Sequence, residues 1–146
     1  MAFAVASSID IHASVDTVWR ILVDLDNYHT WNRFTPKVET TLEVGSPVLL
    51  HVQMTPKKML LQKEWVREVT PRRELSWGMT MGHPFFLAAA RSQTLTPLDE
   101  HTTRYQTVDK MSGILVPLVR LLYGKKIKRG FDALAEGLRV RAESLG

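Results

Sequence analysis

The sequence predicts an α+β domain in which an antiparallel sheet packs against one long C-terminal helix. Three observations lead to this prediction: a strand followed at once by an amphipathic helix, a central run of about six short-linked β segments, and a helical final third. Strands joined by short turns pair antiparallel, and a terminal helix must bury its apolar stripe against the sheet that they form. The predicted order is one strand, one helix, about six strands and one helix.

The size and composition of the chain suit a single domain spanning residues 1–146. Its 146 residues are 45% apolar and 23% charged, enough to bury one core. No apolar run reaches the roughly 18 residues of a membrane span, and no basic segment precedes the apolar N-terminus as in a secretory signal. We therefore expect a soluble, cytoplasmic protein. The absence of cysteine excludes disulfides and thiolate catalysis.

Two different periodicities predict the first strand and the first helix. Apolar residues alternate from Phe3 to Ile11, which is typical of a strand with one buried face. Ser14 then supplies an N-cap for a helix. The apolar stripe of that helix comprises Val15, Val18, Trp19, Leu22 and Val23. Residues 24–32 form its polar exit and carry Trp31.

The β segments that follow Pro36 are rich in alternating and β-branched residues. They are predicted at 37–42, 47–54, 60–70, 73–79, 85–95 and 102–111. Turn residues separate them, including Gly45-Ser46 and the proline-containing stretches 70–73, 82–84 and 97–100.

The final third is predicted to be one long helix entered at Gly113 and Pro117. Its apolar face comprises Ile127, Phe131, Leu134, Leu138 and Leu145. Gly130 and Gly137 lie inside this helix, where each glycine costs about 1 kcal/mol relative to alanine. Two explanations stay open: the glycines allow close approach of the sheet, or they leave space for a ligand that Phe131 and Leu134 would cover.

Six phrases of the sequence resemble the START-like (SRPBCC) superfamily, which has the helix-grip fold. They lie at 14–19, 25–32, 69–77, 95–97, 102–105 and 112–115, in the expected order, and the resemblance covers nearly the whole chain. Its polyketide cyclase/dehydrase and lipid-transport branch is the most similar. The glycine-rich loop of the plant hormone-binding branch is missing, since Gly45 stands alone.

The resemblance implies a curved antiparallel sheet of about seven strands around the C-terminal helix, with a cavity for an apolar ligand between them. The superfamily includes lipid carriers, aromatase/cyclases and chaperone activators, so the fold does not settle the activity. The ligand and any catalytic activity therefore have to be inferred from the residues that would line the cavity.

A polar cluster is predicted on the face of the sheet that meets the helix. If the apolar residues of segment 85–95 face inward, a period of two puts Arg91 and Gln93 with them. The same face of the next segment carries Tyr105 and Asp109. A buried arginine needs a partner, and Asp109 is the expected one. Such groups would orient a carbonyl or phenol, or stabilise an enolate; a β-bulge would instead turn Arg91 to solvent.

The tryptophans are the second candidate for a ligand wall. Trp19 lies on the apolar stripe of the first helix and is expected in the core. Trp31 occupies a position that the resemblance places at the cavity mouth. Trp65 and Trp77 lie on neighbouring strands, and one or both are expected to line the cavity. Aromatic walls suit planar or polyprenyl ligands, and they equally suit any core.

The sequence carries no motif for metal, cofactor, phosphate or nucleophilic chemistry. Its five histidines form no His-x-His, His-x-x-x-His or HExxH pair, and GxSxG, GxGxxG and Walker A patterns are absent. No metal and no cofactor are therefore expected.

A basic run, Lys125, Lys126, Lys128 and Arg129, precedes the apolar face of the last helix. It is either a solvated helix face or a patch for anionic lipid headgroups at the cavity entrance. Nucleic acid is not expected as a partner, because no aromatic interleaving or recognised motif accompanies the net charge of +4.

Two functions of different classes stay open, and the residues favour the first. A binding module would carry or sequester a small hydrophobic molecule such as a lipid, a quinone or a polyketide. A cyclase/aromatase-like enzyme would need a general acid or base in the cavity, from Asp109, Tyr105, Arg91 or His51. A protein-interaction role has no specific support, and a cavity filled by side chains would favour it.

Overall fold

The alternating segments build one antiparallel sheet of seven strands in the computed structural model, which describes residues 2–145. The strands are β1 (Ala2–Ile11), β2 (Lys37–Glu39), β3 (Pro47–Thr55), β4 (Lys58–Thr70), β5 (Glu74–Thr80), β6 (Ala88–Asp99) and β7 (Thr102–Ser112). The helices are α1 (Val15–Val23), a 3-10 helix (Leu25–Thr30) and α2 (Val116–Leu145). The predicted α+β helix-grip order is confirmed.

The strand order across the sheet is β1-β7-β6-β5-β4-β3-β2. Consecutive hairpins link β2 to β7, and β1 closes the sheet beside β7, with Ala2 opposite Ser112 and Ile11 opposite Thr103. The chain between β1 and β2 must therefore cross from one edge of the sheet to the other. It does so through α1 and the 3-10 helix. Ser14 starts α1 by accepting a hydrogen bond from the Thr17 amide at 3.2 Å.

Three strand boundaries differ by three residues or more from those predicted, each for a local backbone reason. β2 ends at Glu39, and Leu42 beyond it has a φ of 61°, a left-handed conformation that ends extended structure. β6 begins only at Ala88, because the chain before it turns, with the Phe86 amide bonded to the His83 carbonyl at 2.9 Å. At its other end β6 continues to Asp99 through a register shift after Pro97.

Gly130 and Gly137 of α2 are explained by neither of the alternatives open from the sequence. A Cβ atom at Gly130 would overlap the ring of Phe34, and one at Gly137 would overlap the main-chain oxygen of Trp31. Both glycines therefore admit the segment that follows the 3-10 helix, rather than the sheet or a ligand. This close packing fixes Phe34 beside Phe131, with ring centroids 5.8 Å apart.

Apolar side chains of α1, α2 and the inner sheet face form the core. Trp19 is buried in it, as predicted, and α2 contributes Phe131, Leu134 and Leu138. Across residues 2–145, no helix is long and apolar enough to cross a membrane.

Candidate ligand-binding cavity

A cavity of about 310 Å³ lies between the inner face of the sheet and α2. The helix lines it with Val119, Tyr123, Ile127 and Phe131, which are spaced four residues apart and so follow one face of α2. Aliphatic and methionine side chains of β3 to β7 form most of the opposite wall. The volume is at the small end of the range for ligand pockets, and the predominantly apolar lining is typical of them.

Three polar side chains of the cavity form one row across three strands, while Thr35, Gln62 and Tyr123 line it elsewhere. Trp77 on β5 lies opposite Arg91 on β6, and Arg91 lies opposite Asp109 on β7. Residues in register share a face of the sheet, so all three line the cavity. Glu64 on β4 also lines it. The cavity therefore has a polar region of one guanidinium, two carboxyls and an indole within apolar walls.

Arg91 is buried, with an exposure of 8%, and is held by neutral groups. Its Nε donates to the Thr107 hydroxyl at 3.1 Å, and its Nη2 donates to the Gln93 side-chain oxygen at 3.5 Å. Its Cζ lies 4.6 Å from the ring centroid of Phe131 on α2, within the range of a cation–π contact. These contacts leave part of its donor capacity free.

The predicted ion pair between Arg91 and Asp109 does not form among the described residues. The two residues are cross-strand neighbours, as expected, but the guanidinium bonds to Thr107 and Gln93 in the next row of the sheet instead. Gln93 is held there by Tyr105, whose hydroxyl donates to the same side-chain oxygen at 2.6 Å.

Both carboxyls of the cavity are easier to protonate than usual. Burial raises the pKa of Glu64 to about 7, with a further contribution from Asp109 and opposition from Arg91 and Arg67. Burial also raises the pKa of Asp109, and Arg91 opposes the shift. Near neutral pH the cavity can therefore both hold and release a proton.

Two polar atoms of residues in the row lack a hydrogen-bond partner within residues 2–145. They are the Oδ1 of Asp109 and the indole Nε1 of Trp77, both fully buried from solvent. An unpaired buried polar group costs about 1–3 kcal/mol, so a bound molecule that pairs with them would recover part of that free energy. The two atoms lie on either side of Arg91 along the row.

The predicted site residues fall into three places. Trp77, Arg91, Asp109 and Phe131 line the cavity. Gln93, Tyr105 and Leu134 are buried outside its lining, the first two in the network that holds Arg91. Trp31 and Trp65 lie elsewhere.

Trp31 and Trp65 do not line the cavity. Trp31 is buried edge-on against Tyr28, with ring centroids 4.8 Å apart. Trp65 is 42% exposed on the outer face of β4, where the Lys63 ammonium lies 5.6 Å from its ring. The alternation of β4 explains this position, because its inward residues are Glu64 and Val66.

Glu64 lines the cavity although no pattern in the sequence predicted it. Its strand has apolar residues in both phases of the alternation: Leu60 and Val66 face inward, whereas Leu61 and Trp65 face outward. Local periodicity therefore does not reveal the buried phase. The pairing of Val66 with Trp77 on β5 fixes it, and that pairing is a long-range contact.

His51 lies outside the cavity lining, with its Nε2 2.9 Å from a carboxylate oxygen of Glu39. It is therefore not placed to serve as an acid or base there. The residues described contain no group of three or more histidine and acidic side chains that would hold a metal ion.

The four residues of the basic run in α2, Lys125, Lys126, Lys128 and Arg129, do not form one patch. Lys128 is engaged, since its ammonium donates to the Ala6 carbonyl at 2.8 Å and to Asp132 at 2.9 Å. Lys126 and Arg129 lie on another side of the helix, along a groove that also contains Phe34.

Comparison with known proteins identifies related sequences and folds. The family described as polyketide cyclase/dehydrase and lipid transport matches residues 2–143. The Zhui aromatase/cyclase from Streptomyces sp. R1128 superposes with a TM-score of 0.78 at 19% identity, covering 98% of this chain and 94% of that one. A START superfamily protein from Mycobacterium smegmatis gives a TM-score of 0.72 at 20% identity, covering 98% and 99%.

Norcoclaurine synthase from Thalictrum flavum, in complex with dopamine and hydroxybenzaldehyde, gives a TM-score of 0.74 at 11% identity, covering 100% of this chain and 89% of that one. At these identities the structural likenesses establish the fold and not the activity. No functionally curated protein matches the sequence.

Proposed function

Because the chain belongs to the polyketide cyclase/dehydrase and lipid transport family, we propose that it binds one small, largely apolar molecule in its cavity and carries or sequesters it. The observation that carries this proposal is a cavity of about 310 Å³ with apolar walls and an unsatisfied polar row. An apolar cavity of about 150 Å³ binds benzene, so this one suits a molecule of about two fused rings or a short branched chain.

Filling the cavity is expected to abolish ligand binding. Ala89 lines it between Met79 and Met111, its partners on β5 and β7. The indole of Ala89→Trp would occupy the space, and we expect at least a tenfold loss of affinity for 1-naphthylamine, a neutral fluorescent probe with two fused rings. Native mass spectrometry, with organic extraction of the wild-type protein, identifies any molecule retained from the cell.

Ala90→Trp is the matched control, because the neighbouring residue points to the outer face of β6. Circular dichroism checks that both variants fold, and Ala89→Leu is the smaller substitution if Ala89→Trp does not. Unchanged probe binding in folded Ala89→Trp, or no probe binding by the wild type, contradicts the proposal.

An exposed apolar patch beside the cavity mouth supports the role of a carrier that collects its ligand from an anionic membrane surface. Met81, 51% exposed, lines the cavity and marks this mouth. The patch comprises Phe85, Phe86, Ile114, Leu118, Leu121 and Leu122, and its two segments are joined by a hydrogen bond from the Ile114 amide to the Phe85 carbonyl at 2.9 Å. Patches of this kind mark interaction sites.

The charge around this patch favours an anionic bilayer as its partner. Every charged residue from Lys110 to Arg129 is basic, and Arg120 and Lys125 are exposed beside the apolar residues of α2. Basic residues close to an anionic bilayer contribute about 1 kcal/mol each. Lys128, which is engaged by β1, is not part of this surface.

Removing one apolar side chain from the patch is expected to weaken membrane binding. Leu121 is 82% exposed, so Leu121→Gln leaves the fold intact. Because a buried leucine contributes about 1.5–3 kcal/mol, we expect about a tenfold loss of binding to vesicles of phosphatidylcholine and phosphatidylserine. Co-sedimentation measures the binding, which should fall with added salt.

Val140→Gln is the matched control, because Val140 is an exposed apolar residue at the opposite end of the same helix. Binding of Leu121→Gln equal to that of the wild type, or equal losses in both variants, would contradict membrane docking through this patch.

A second candidate function is proton transfer on a bound carbonyl compound, and one observation favours it: a carboxyl with a pKa raised to about 7 lies in the same cavity as a buried guanidinium. The Glu64 carboxylate would take a proton from the carbon next to the carbonyl. An Arg91 N–H would stabilise the enolate oxygen, and the carboxyl would return a proton to the carbon. Formation of the enolate is also the first step of an aldol-type cyclisation, in which the enolate carbon attacks a second carbonyl instead of regaining a proton.

Hydrogen–deuterium exchange of 2-tetralone, an enolisable ketone with two fused rings, tests this candidate. Proton NMR in D₂O is expected to show exchange faster than in buffer alone, with a rate that rises as the pH passes about 7 and Glu64 ionises. Glu64→Gln should reduce the rate to that of the buffer. Glu68→Gln, exposed on the same strand, should retain the wild-type rate. A wild-type rate equal to that of buffer would exclude this activity for such ketones.

A further inference from the structure

We infer that the cavity selects ligands whose polar group is an uncharged hydroxyl, such as a phenol or an alcohol, and rejects carboxylates. This inference rests on the proposed ligand-binding function and adds the chemical class of the ligand to it.

The buried polar atoms without a partner match the donor and the acceptor of a hydroxyl group. The Asp109 Oδ1 lacks a donor among residues 2–145, while the Trp77 indole N–H lacks an acceptor there, and Arg91 between them retains unused N–H groups. A hydroxyl can donate to the carboxylate and accept from the indole or the guanidinium. A hydrocarbon pairs with none of them. A carboxylate accepts only, and so leaves Asp109 without a donor.

The charged side chains of the cavity disfavour a charged ligand. Arg91 supplies one positive charge to the cavity, and Glu64 and Asp109 supply up to two negative charges. An added carboxylate would face two carboxyls in a region of low dielectric constant, where repulsion between like charges is strong. An added ammonium would lose its hydration and, because it has no acceptor, would leave the Trp77 N–H unpaired. An uncharged group avoids both penalties.

The size of the cavity determines which probes are suitable. About 310 Å³ is roughly twice the volume that holds benzene, so naphthalene derivatives match the cavity. Naphthalene, 2-naphthol, 2-naphthoate and 2-naphthylmethylammonium share one ring system and differ in the polar group alone. Their relative affinities therefore report the polar row, while naphthalene reports the apolar walls.

Isothermal titration of the protein with these four probes at about pH 8, where Glu64 is largely ionised, tests the inference. The expected order is 2-naphthol tightest, naphthalene about tenfold weaker, since one to two hydrogen bonds of about 1 kcal/mol are lost, and 2-naphthoate weaker still. Asp109→Asn removes the repulsion but keeps an acceptor, so it should reduce the preference for 2-naphthol over 2-naphthoate about tenfold. Asp109→Ser is the alternative if Asp109→Asn does not fold.

Asp26→Asn is the control, because Asp26 is exposed in the 3-10 helix outside the cavity, and it should leave all four affinities unchanged. Tightest binding by 2-naphthoate or by the ammonium, equal binding of naphthalene and 2-naphthol, or an unchanged preference in Asp109→Asn overturns the inference while leaving the ligand-binding function in place. Failure of all four probes to bind overturns the ligand-binding function itself.

Discussion

Replacing Arg91 by methionine is expected to lower the free energy of unfolding by about 3 kcal/mol at about pH 8, and by about 2 kcal/mol at about pH 5. The substitution removes the hydrogen bonds to Thr107 and Gln93, each contributing about 1 kcal/mol at both pH values. It also removes the one guanidinium lining the cavity beside Glu64 and Asp109. At the higher pH the buried Glu64 carboxyl ionises without a compensating positive charge, whereas at the lower pH it is largely protonated.

Urea denaturation of both proteins at the two pH values measures this difference. Arg104→Met is the matched control: Arg104 pairs with Asp10 on the sheet surface at 2.8 Å, and exposed pairs of this kind contribute little to stability. A loss in Arg91→Met that is the same at both pH values would mean that the guanidinium does not stabilise the ionised carboxyls, and that its contribution lies in hydrogen bonding and packing alone.

The stability cost of the polar row and its usefulness for binding have the same cause. Trp77 and Asp109 each carry a buried atom that the described residues do not satisfy, and Glu64 ionises against an unfavourable environment. A core built for stability alone would place apolar groups there, as the neighbouring row does with Met79, Ala89 and Met111. Unsatisfied groups of this kind cluster where a ligand completes the site.

Much of the fold follows from local patterns in the sequence. The alternation of β1, the capped stripe of α1 and the apolar face of α2 are short-range periodicities, and each predicts its element within a few residues. The inward position of Arg91 follows in the same way from its apolar neighbours on β6. The START-like phrases add the arrangement of these elements, which periodicity does not supply.

The features that local sequence patterns did not predict depend on contacts between distant residues. The polar partners of Arg91 are decided by which row of β7 its guanidinium reaches, and Thr107 lies two residues from the expected Asp109. The burial of Glu64 and the exposure of Trp65 are set by the pairing of β4 with β5, because β4 itself is apolar in both phases. Gly130 and Gly137 are explained only by the chain segment that packs against them.

Replacing Glu64 by glutamine is expected to stabilise the protein at about pH 8, by up to about 3 kcal/mol, and to change its stability little at about pH 4.5. The pKa of Glu64 is raised from 4.5 to about 7 in the folded protein, so between these pH values the folded state binds a proton that the unfolded state lacks. Wild-type stability therefore falls as the pH rises through this window. Glutamine is nearly isosteric with glutamate and never ionises, so the variant escapes this loss.

The difference in unfolding free energy between Glu64→Gln and wild type, measured in urea across this pH range, isolates the carboxyl, because every other titrating group is common to both proteins. The difference should grow with pH and level off about one unit above the pKa of about 7, where the folded-state carboxyl is almost fully ionised. Glu68→Gln, on the exposed face of the same strand, should show no such growth. A constant difference between Glu64→Gln and wild type would mean that Glu64 ionises as an ordinary surface carboxyl, and the cavity would then lack the acid–base group on which the proton-transfer function depends.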